Sequence, residues 1–139
     1  MKINPKIISE IAQQLEAGMK VYLNKDTHEI KSIFDWDEIT DYELVEKEEN
    51  EILQEWSNYV EFTKMESHEA FDVMEEFAVE IENINLREEV LKVLGRKCPF
   101  ANFKAIVETS DYRDKWFEFR RKKYIEYIEK QLEAEEFDI

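Results

Sequence analysis

Glycine and proline are scarce in this chain: its 139 residues contain only two of each. Both residues interrupt regular structure, and folds built from many short strands need them in their turns. Their scarcity therefore predicts long regular elements, mainly helices. Hydrophobic residues make up 43% of the chain, which is enough for a core without disulfides at this length. We expect one domain covering residues 1–139.

The first part of the chain predicts a helix followed by a small sheet. Asn4 and Pro5 form a typical helix start, and Gly18 is placed to end that helix. Apolar residues then alternate over residues 19–23 and 30–34, which indicates two strands of a hairpin. An acidic connection follows, with a short helix expected near residues 48–56. Alternation over residues 59–65 predicts a third strand.

The second half of the chain carries apolar residues at helical spacing and predicts four helices. The candidate helix boundaries are the caps Ser67, Asn85 (with Glu88 completing a capping box), Ser110 and Asp111, the terminator Gly95, and Pro99 at a first helical position. The order of elements has no strand–helix–strand alternation. We therefore predict an α+β fold, with a small N-terminal antiparallel sheet of about three strands packed against a helical C-terminal half of about four helices.

Charge is unevenly distributed along the chain, whose net charge is −15. Residues 35–82 carry 18 acidic and two basic side chains, whereas residues 87–123 carry 11 basic and six acidic ones. Such asymmetry favours contact with charged partners. A simpler alternative is that residues 35–82 form a solvated face that keeps the protein in solution.

Basic and aromatic residues are interleaved between Gly95 and Arg121, in the runs GRKCPFANFK and WFEFRR. At helical spacing, Arg120 falls within the aromatic face of the last predicted helix, in a polar seam with Arg113, Tyr127 and Gln131. A guanidinium group in such surroundings is costly unless something balances its charge.

Three roles for Arg120 remain open. It could form an internal ion pair, with Glu75 or Glu76, or stack on Trp116. It could line an anion-binding groove around a phosphate or a nucleic-acid backbone. It could also extend its guanidinium group into solvent. The candidate residues of an anion or partner site are Arg96, Lys97, Lys104, Arg113, Trp116, Arg120 and Tyr127. Aromatic residues at helical spacing are, however, most commonly core residues.

The same segment resembles the bacterial uncharacterised protein family 0158, with the strongest likeness over residues 95–128. The residues that carry the resemblance are Gly95, Arg96, Phe100, Phe103, Lys104, Trp116, Phe117, Phe119 and Arg120. The resemblance implies membership of that family. It implies no activity, because the family is defined without one.

Catalytic signals are poor. Neither His28, in a predicted turn, nor His68, at a predicted helix start, belongs to a recognisable metal-ligand motif. Two glycines exclude a glycine-rich nucleotide loop. Cys98 has no histidine near it in sequence to act as a base. We expect no enzymatic activity, no cofactor and no metal.

Cys98 is the only cysteine, so no internal disulfide can form, and we expect a reducing cytoplasm. No apolar run is long enough to cross a membrane, so no membrane partner is expected. These observations together predict a non-catalytic interaction module that binds a protein partner or a second copy of itself. The alternative is that the region from Arg96 to Lys123 binds a nucleic acid or a small anion.

Overall fold

The structure, a computed structural model, describes residues 3–34 and 58–137. The described residues contain three strands and five helices, so the predicted α+β class is confirmed. The chain divides into two compact units, a first unit of residues 1–64 and 124–139 and a second unit of residues 65–123. A single domain over residues 1–139 stays a prediction. The acidic connection that begins at residue 35 and the short helix expected near residues 48–56 lie outside the described residues.

Helix α1 (Pro5–Glu16) opens the first unit where the sequence predicts it. The Oδ1 atom of Asn4 accepts a hydrogen bond from the N–H of Lys6 at 2.9 Å. Pro5 occupies the first helical position, where an N–H would have no intrahelical partner. Gly18 follows the helix with a φ of 87°, a left-handed conformation that favours glycine. Both predicted ends of α1 are confirmed.

A three-stranded antiparallel sheet completes the described fold of the first unit. Its strands are β1 (Met19–Asn24), β2 (Ile30–Phe34) and β3 (Tyr59–Phe62), in the order β2–β1–β3. The Oδ1 atom of Asn24 holds the β1–β2 turn by accepting from the backbone N–H groups of Asp26 and Thr27 at 2.8 and 3.0 Å. Strand β3 is shorter than the predicted 59–65, because its pairing with β1 ends at Val21 and Phe62.

The second unit is helical. Its helices are α2 (Ser67–Glu80), α3 (Ile84–Leu94), α4 (Pro99–Val107) and the first half of α5 (Arg113–Ala134), which continues into the first unit. The prediction of Ser67 as a cap is wrong, because Glu66 is the residue that precedes α2 in extended conformation. The N–H of Glu66 donates to Oε1 of Glu69 at 3.5 Å. Ser67 is thereby the first residue inside the helix.

The prediction of Asn85 as the cap of α3 is also wrong. Asn83 takes that position, and its Oδ1 atom accepts from the N–H of Leu86 at 3.1 Å. The N–H of Asn83 itself donates to the hydroxyl of Tyr112 at 3.2 Å. This contact spans 29 residues of sequence and favours Asn83 over Asn85 as the start of the helix.

Each unit has its own hydrophobic core. The core of the first unit consists of Ile3, Ile8, Ile11, Ala12, Leu15, Val21, Leu23, Val60, Phe62, Ile128 and Leu132. The core of the second unit consists of Val73, Met74, Phe77, Ala78, Ile81, Val90, Leu94, Phe103, Val107 and Trp116. Among the described helices, none has the length and hydrophobicity needed to cross a membrane.

Candidate functional site

Trp116 anchors helix α5 in the core of the second unit. Its side chain is 1% exposed, and its ring lies 4.7 Å from the ring of Phe103 and 5.3 Å from that of Phe77, centroid to centroid. The indole Nε1 atom has no hydrogen-bond partner in the part of the chain that the structure describes. Trp116 is therefore a core residue that supports the surface above it, and its ring is closed to a partner.

A stack of two arginines and one ring lies on the second-unit half of α5. The guanidinium carbon of Arg113 lies 5.3 Å from the ring centroid of Phe117, and that of Arg120 lies 5.4 Å from the same centroid. Arg113 precedes Phe117 by four residues and Arg120 follows it by three, so both arginines lie on the same face of the helix as the ring. Arg113 is exposed, whereas Phe117 and Arg120 are half-buried. We call Arg113, Phe117 and Arg120 the arginine–phenylalanine stack.

Arg120 also contacts the buried layer. Its guanidinium carbon lies 5.9 Å from the ring centroid of Trp116, and its Nε atom is buried. The structure thus shows the stacking on Trp116 that was one of the open alternatives. The carboxylate of Glu76, a predicted partner of Arg120, lies 2.9 Å from the Nζ atom of Lys123. Lys123 additionally lies 5.5 Å from the ring centroid of Phe119.

Arg96, Lys97 and Lys104 lie elsewhere on the second unit. Arg96 and Lys97 are in the turn between α3 and α4, and Lys104 is on α4. All three side chains are exposed, and none forms an ion pair with another residue of the described ranges. Within those ranges no ion pair or cation–π contact joins them to the arginine–phenylalanine stack.

Tyr127 and Gln131 have a structural role in the first unit. The hydroxyl of Tyr127 donates to the carbonyl of Thr63 at 3.2 Å, and Nε2 of Gln131 donates to the carbonyl of Glu61 at 2.7 Å. Among the described strands, β3 lies at one edge of the sheet, and alternate residues of an edge strand direct their backbone groups away from the sheet. The predicted seam is thus divided, because Tyr127 and Gln131 bind backbone carbonyls of β3 and of Thr63, the residue that follows it.

A cleft of about 170 Å³ in the second unit was not predicted. Its lining residues are Phe77, Glu80, Ile81, Glu82, Tyr112, Lys115 and Phe119. The ammonium group of Lys115 lies 5.3 Å from the ring centroid of Tyr112. The lining comes from the end of α2, the turn after it and the start of α5, so no local pattern in the sequence reveals it.

One group of potential metal ligands lies at the start of α2. Ligand atoms of Glu66, His68 and Glu69 lie within 4.8 Å of one another, and Nδ1 of His68 is 3.4 Å from Oε2 of Glu66. The positive end of a helix dipole disfavours a cation at this position. The carboxylate of Glu69 already has a structural role, because it accepts a hydrogen bond from the N–H of Glu66 at the start of the helix.

Comparison with known proteins gives a family. Neither the curated proteins nor the solved structures contain a significant match to this chain. The sequence model of one family, described as "Uncharacterised protein family (UPF0158)", matches residues 1–139. Because the match covers the whole chain, the predicted resemblance is confirmed, and the chain belongs to uncharacterised protein family UPF0158.

Proposed function

We propose that this protein is a non-catalytic interaction module of the cytoplasm, and that its arginine–phenylalanine stack binds an acidic surface of a protein partner. The observation that carries the proposal is the position of Arg113 and Arg120 over one half-buried ring. Arginine and aromatic side chains dominate the binding energy of protein interfaces. Arg113 is exposed, and a guanidinium group stacked on a ring can still donate from its N–H groups to carboxylate oxygens.

Pre-ordering supports the same proposal. A free arginine loses side-chain entropy when a partner immobilises it. Contact with the Phe117 ring restricts Arg113 and Arg120 before any partner arrives. The surrounding residues 87–123 carry a net charge of +5, which favours encounter with an acidic surface.

Nucleic-acid binding is less well supported. Proteins that bind single strands stack bases on exposed aromatic rings. Phe103 and Trp116, which lie in the basic segment, are 0% and 1% exposed. The exposed cations Arg96, Lys97 and Lys104 could still contact phosphates. A protein partner fits the stack better, because the exposed member of the stack is Arg113 and the ring of the stack is half-buried.

The test compares Arg113→Gln with Lys104→Gln, since both residues are exposed and both changes remove one positive charge. Binding of a labelled peptide of alternating glutamate and tyrosine is measured by fluorescence anisotropy at low salt. We expect Arg113→Gln to weaken binding about tenfold and Lys104→Gln to change it less than about twofold. Arg113→Lys, which keeps the charge but not the planar group, should fall between them.

Two outcomes contradict the proposal. Equal losses in Arg113→Gln and Lys104→Gln would indicate a diffuse charge effect instead of a site. Tighter binding of a mixed-sequence single-stranded RNA than of the peptide would favour the nucleic-acid alternative. Size-exclusion chromatography at low and high salt separately tells whether the acidic partner is a second copy of the chain, because charge-driven association weakens as salt increases.

A further inference from the structure

The cleft in the second unit lies at the corner where α2 ends and α3 begins. Phe77, Tyr112 and Phe119 supply three rings to its lining, and Glu80 and Glu82 supply two carboxylates. Its volume of about 170 Å³ is below the range of about 300–1,000 Å³ that drug-sized ligands occupy. The cleft therefore has room for one side chain or a ligand of similar size.

The charge of this corner favours a cation. Helix α2 contains five acidic residues and no lysine or arginine, and its last turn has no basic residue to offset the negative end of the helix dipole. Neither Glu80 nor Glu82 forms a hydrogen bond or ion pair through its carboxylate within residues 3–34 and 58–137. The one cation in the lining, Lys115, lies over the ring of Tyr112.

Rings and carboxylates together select the kind of cation. Aromatic faces attract lysine and arginine side chains, and carboxylates bind the same groups by charge-assisted hydrogen bonds. Two large apolar side chains lie exposed at the same corner, Val79 at 56% and Ile84 at 59%. An occupant that brings apolar groups beside its charge would cover both kinds of surface.

We propose that this corner binds a basic segment of a protein partner, with one lysine or arginine side chain inserted into the cleft. The rings of Phe77 and Phe119 contact the aliphatic stem of the inserted side chain, and Glu80 and Glu82 bind its charged head. Val79 and Ile84 contact apolar neighbours of the inserted residue. This surface differs from the arginine–phenylalanine stack in both residues and sign of charge, so the two proposals stand or fall independently.

The test uses the full chain and two labelled heptapeptides that differ only in one terminal group of the central side chain. The first has a central arginine flanked by leucines, and the second has citrulline in place of arginine, which is nearly the same shape but uncharged. We expect the arginine peptide to bind and the citrulline peptide to bind about tenfold more weakly. Equal binding of the two peptides would overturn the proposal.

Matched variants locate the site. Glu80→Gln with Glu82→Gln should weaken binding of the arginine peptide about tenfold, whereas Glu88→Gln with Glu89→Gln should leave it within about twofold. All four residues are exposed, and the two pairs change the net charge equally. Melting temperatures verify that both variants fold.

Two results overturn the assignment of the occupant. Equal effects of the two double variants would show that net charge, and not the cleft, determines binding. Binding of butylguanidine with no binding of the arginine peptide would assign the cleft to a small organic cation. Binding of the alternating glutamate–tyrosine peptide should be unchanged in Glu80→Gln with Glu82→Gln, which separates this test from that of the arginine–phenylalanine stack.

Discussion

Replacing Trp116 by phenylalanine should have almost no effect on stability, although the residue is 1% exposed. Phenylalanine lacks the ring nitrogen and two of the ring carbons of tryptophan, and the lost burial of those carbons with the space that they leave costs about 2 kcal/mol. The same change removes the buried Nε1 donor, which has no partner within the described residues. Relief of an unsatisfied buried donor returns about 1–3 kcal/mol. The two effects nearly cancel.

The control is Phe103→Ala. Phe103 is 0% exposed and packs against Trp116 with ring centroids 4.7 Å apart. No polar group is removed with it, so the full cost of a large-to-small change in a core applies, about 3–5 kcal/mol. Urea unfolding of both variants, followed by far-ultraviolet circular dichroism, gives the free energies of unfolding. If Trp116→Phe destabilises the protein as much as Phe103→Ala, then Nε1 is satisfied and the reasoning is wrong.

Two further predictions concern helix ends, and thermal unfolding measures both. Gly18→Ala should lower the free energy of unfolding by about 1–2 kcal/mol, because Gly18 has a φ of 87°. Gly95→Ala should be neutral or slightly stabilising, because Gly95 has a φ of −87° and an added Cβ would lie 3.7 Å from the nearest carbonyl oxygen. Asn83→Ala should cost about 1 kcal/mol through the lost cap of α3, and Asn85→Ala much less; the opposite order in either pair would contradict the geometry.

Helix starts that a proline marks were predictable from the sequence. Proline fixes its own φ, so Pro5 and Pro99 mark the first residues of α1 and α4 as expected. The start of α3 was not predictable, because Asn83 and Asn85 are equally good caps by themselves. The hydroxyl of Tyr112, 29 residues away, binds the N–H of Asn83, and no local pattern shows that contact.

The candidate site was predictable only as far as periodicity reaches. Helical spacing correctly placed Arg120 among rings, and the structure shows it over Trp116 and Phe117. The same spacing placed Tyr127 on that face, and the structure shows its hydroxyl bound to the carbonyl of Thr63. Helical spacing identifies which residues share a face of a helix, but it does not identify the residues that pack against that face. The cleft was missed for the same reason, since its lining is assembled from segments about 30 residues apart in sequence.

Helix α5 contributes to both cores, with Trp116 in one and Ile128 and Leu132 in the other. The N-terminal sheet emerges from the ribosome long before Ile128 and Leu132 are synthesised. Until then, the apolar side chains that these two residues cover stay open to water, as does the edge of β3 that Gln131 later binds. A chain truncated before residue 124 would therefore lack the part of α5 that covers its sheet, whereas residues 65–123, which are contiguous in sequence, would still contain every residue of the second core.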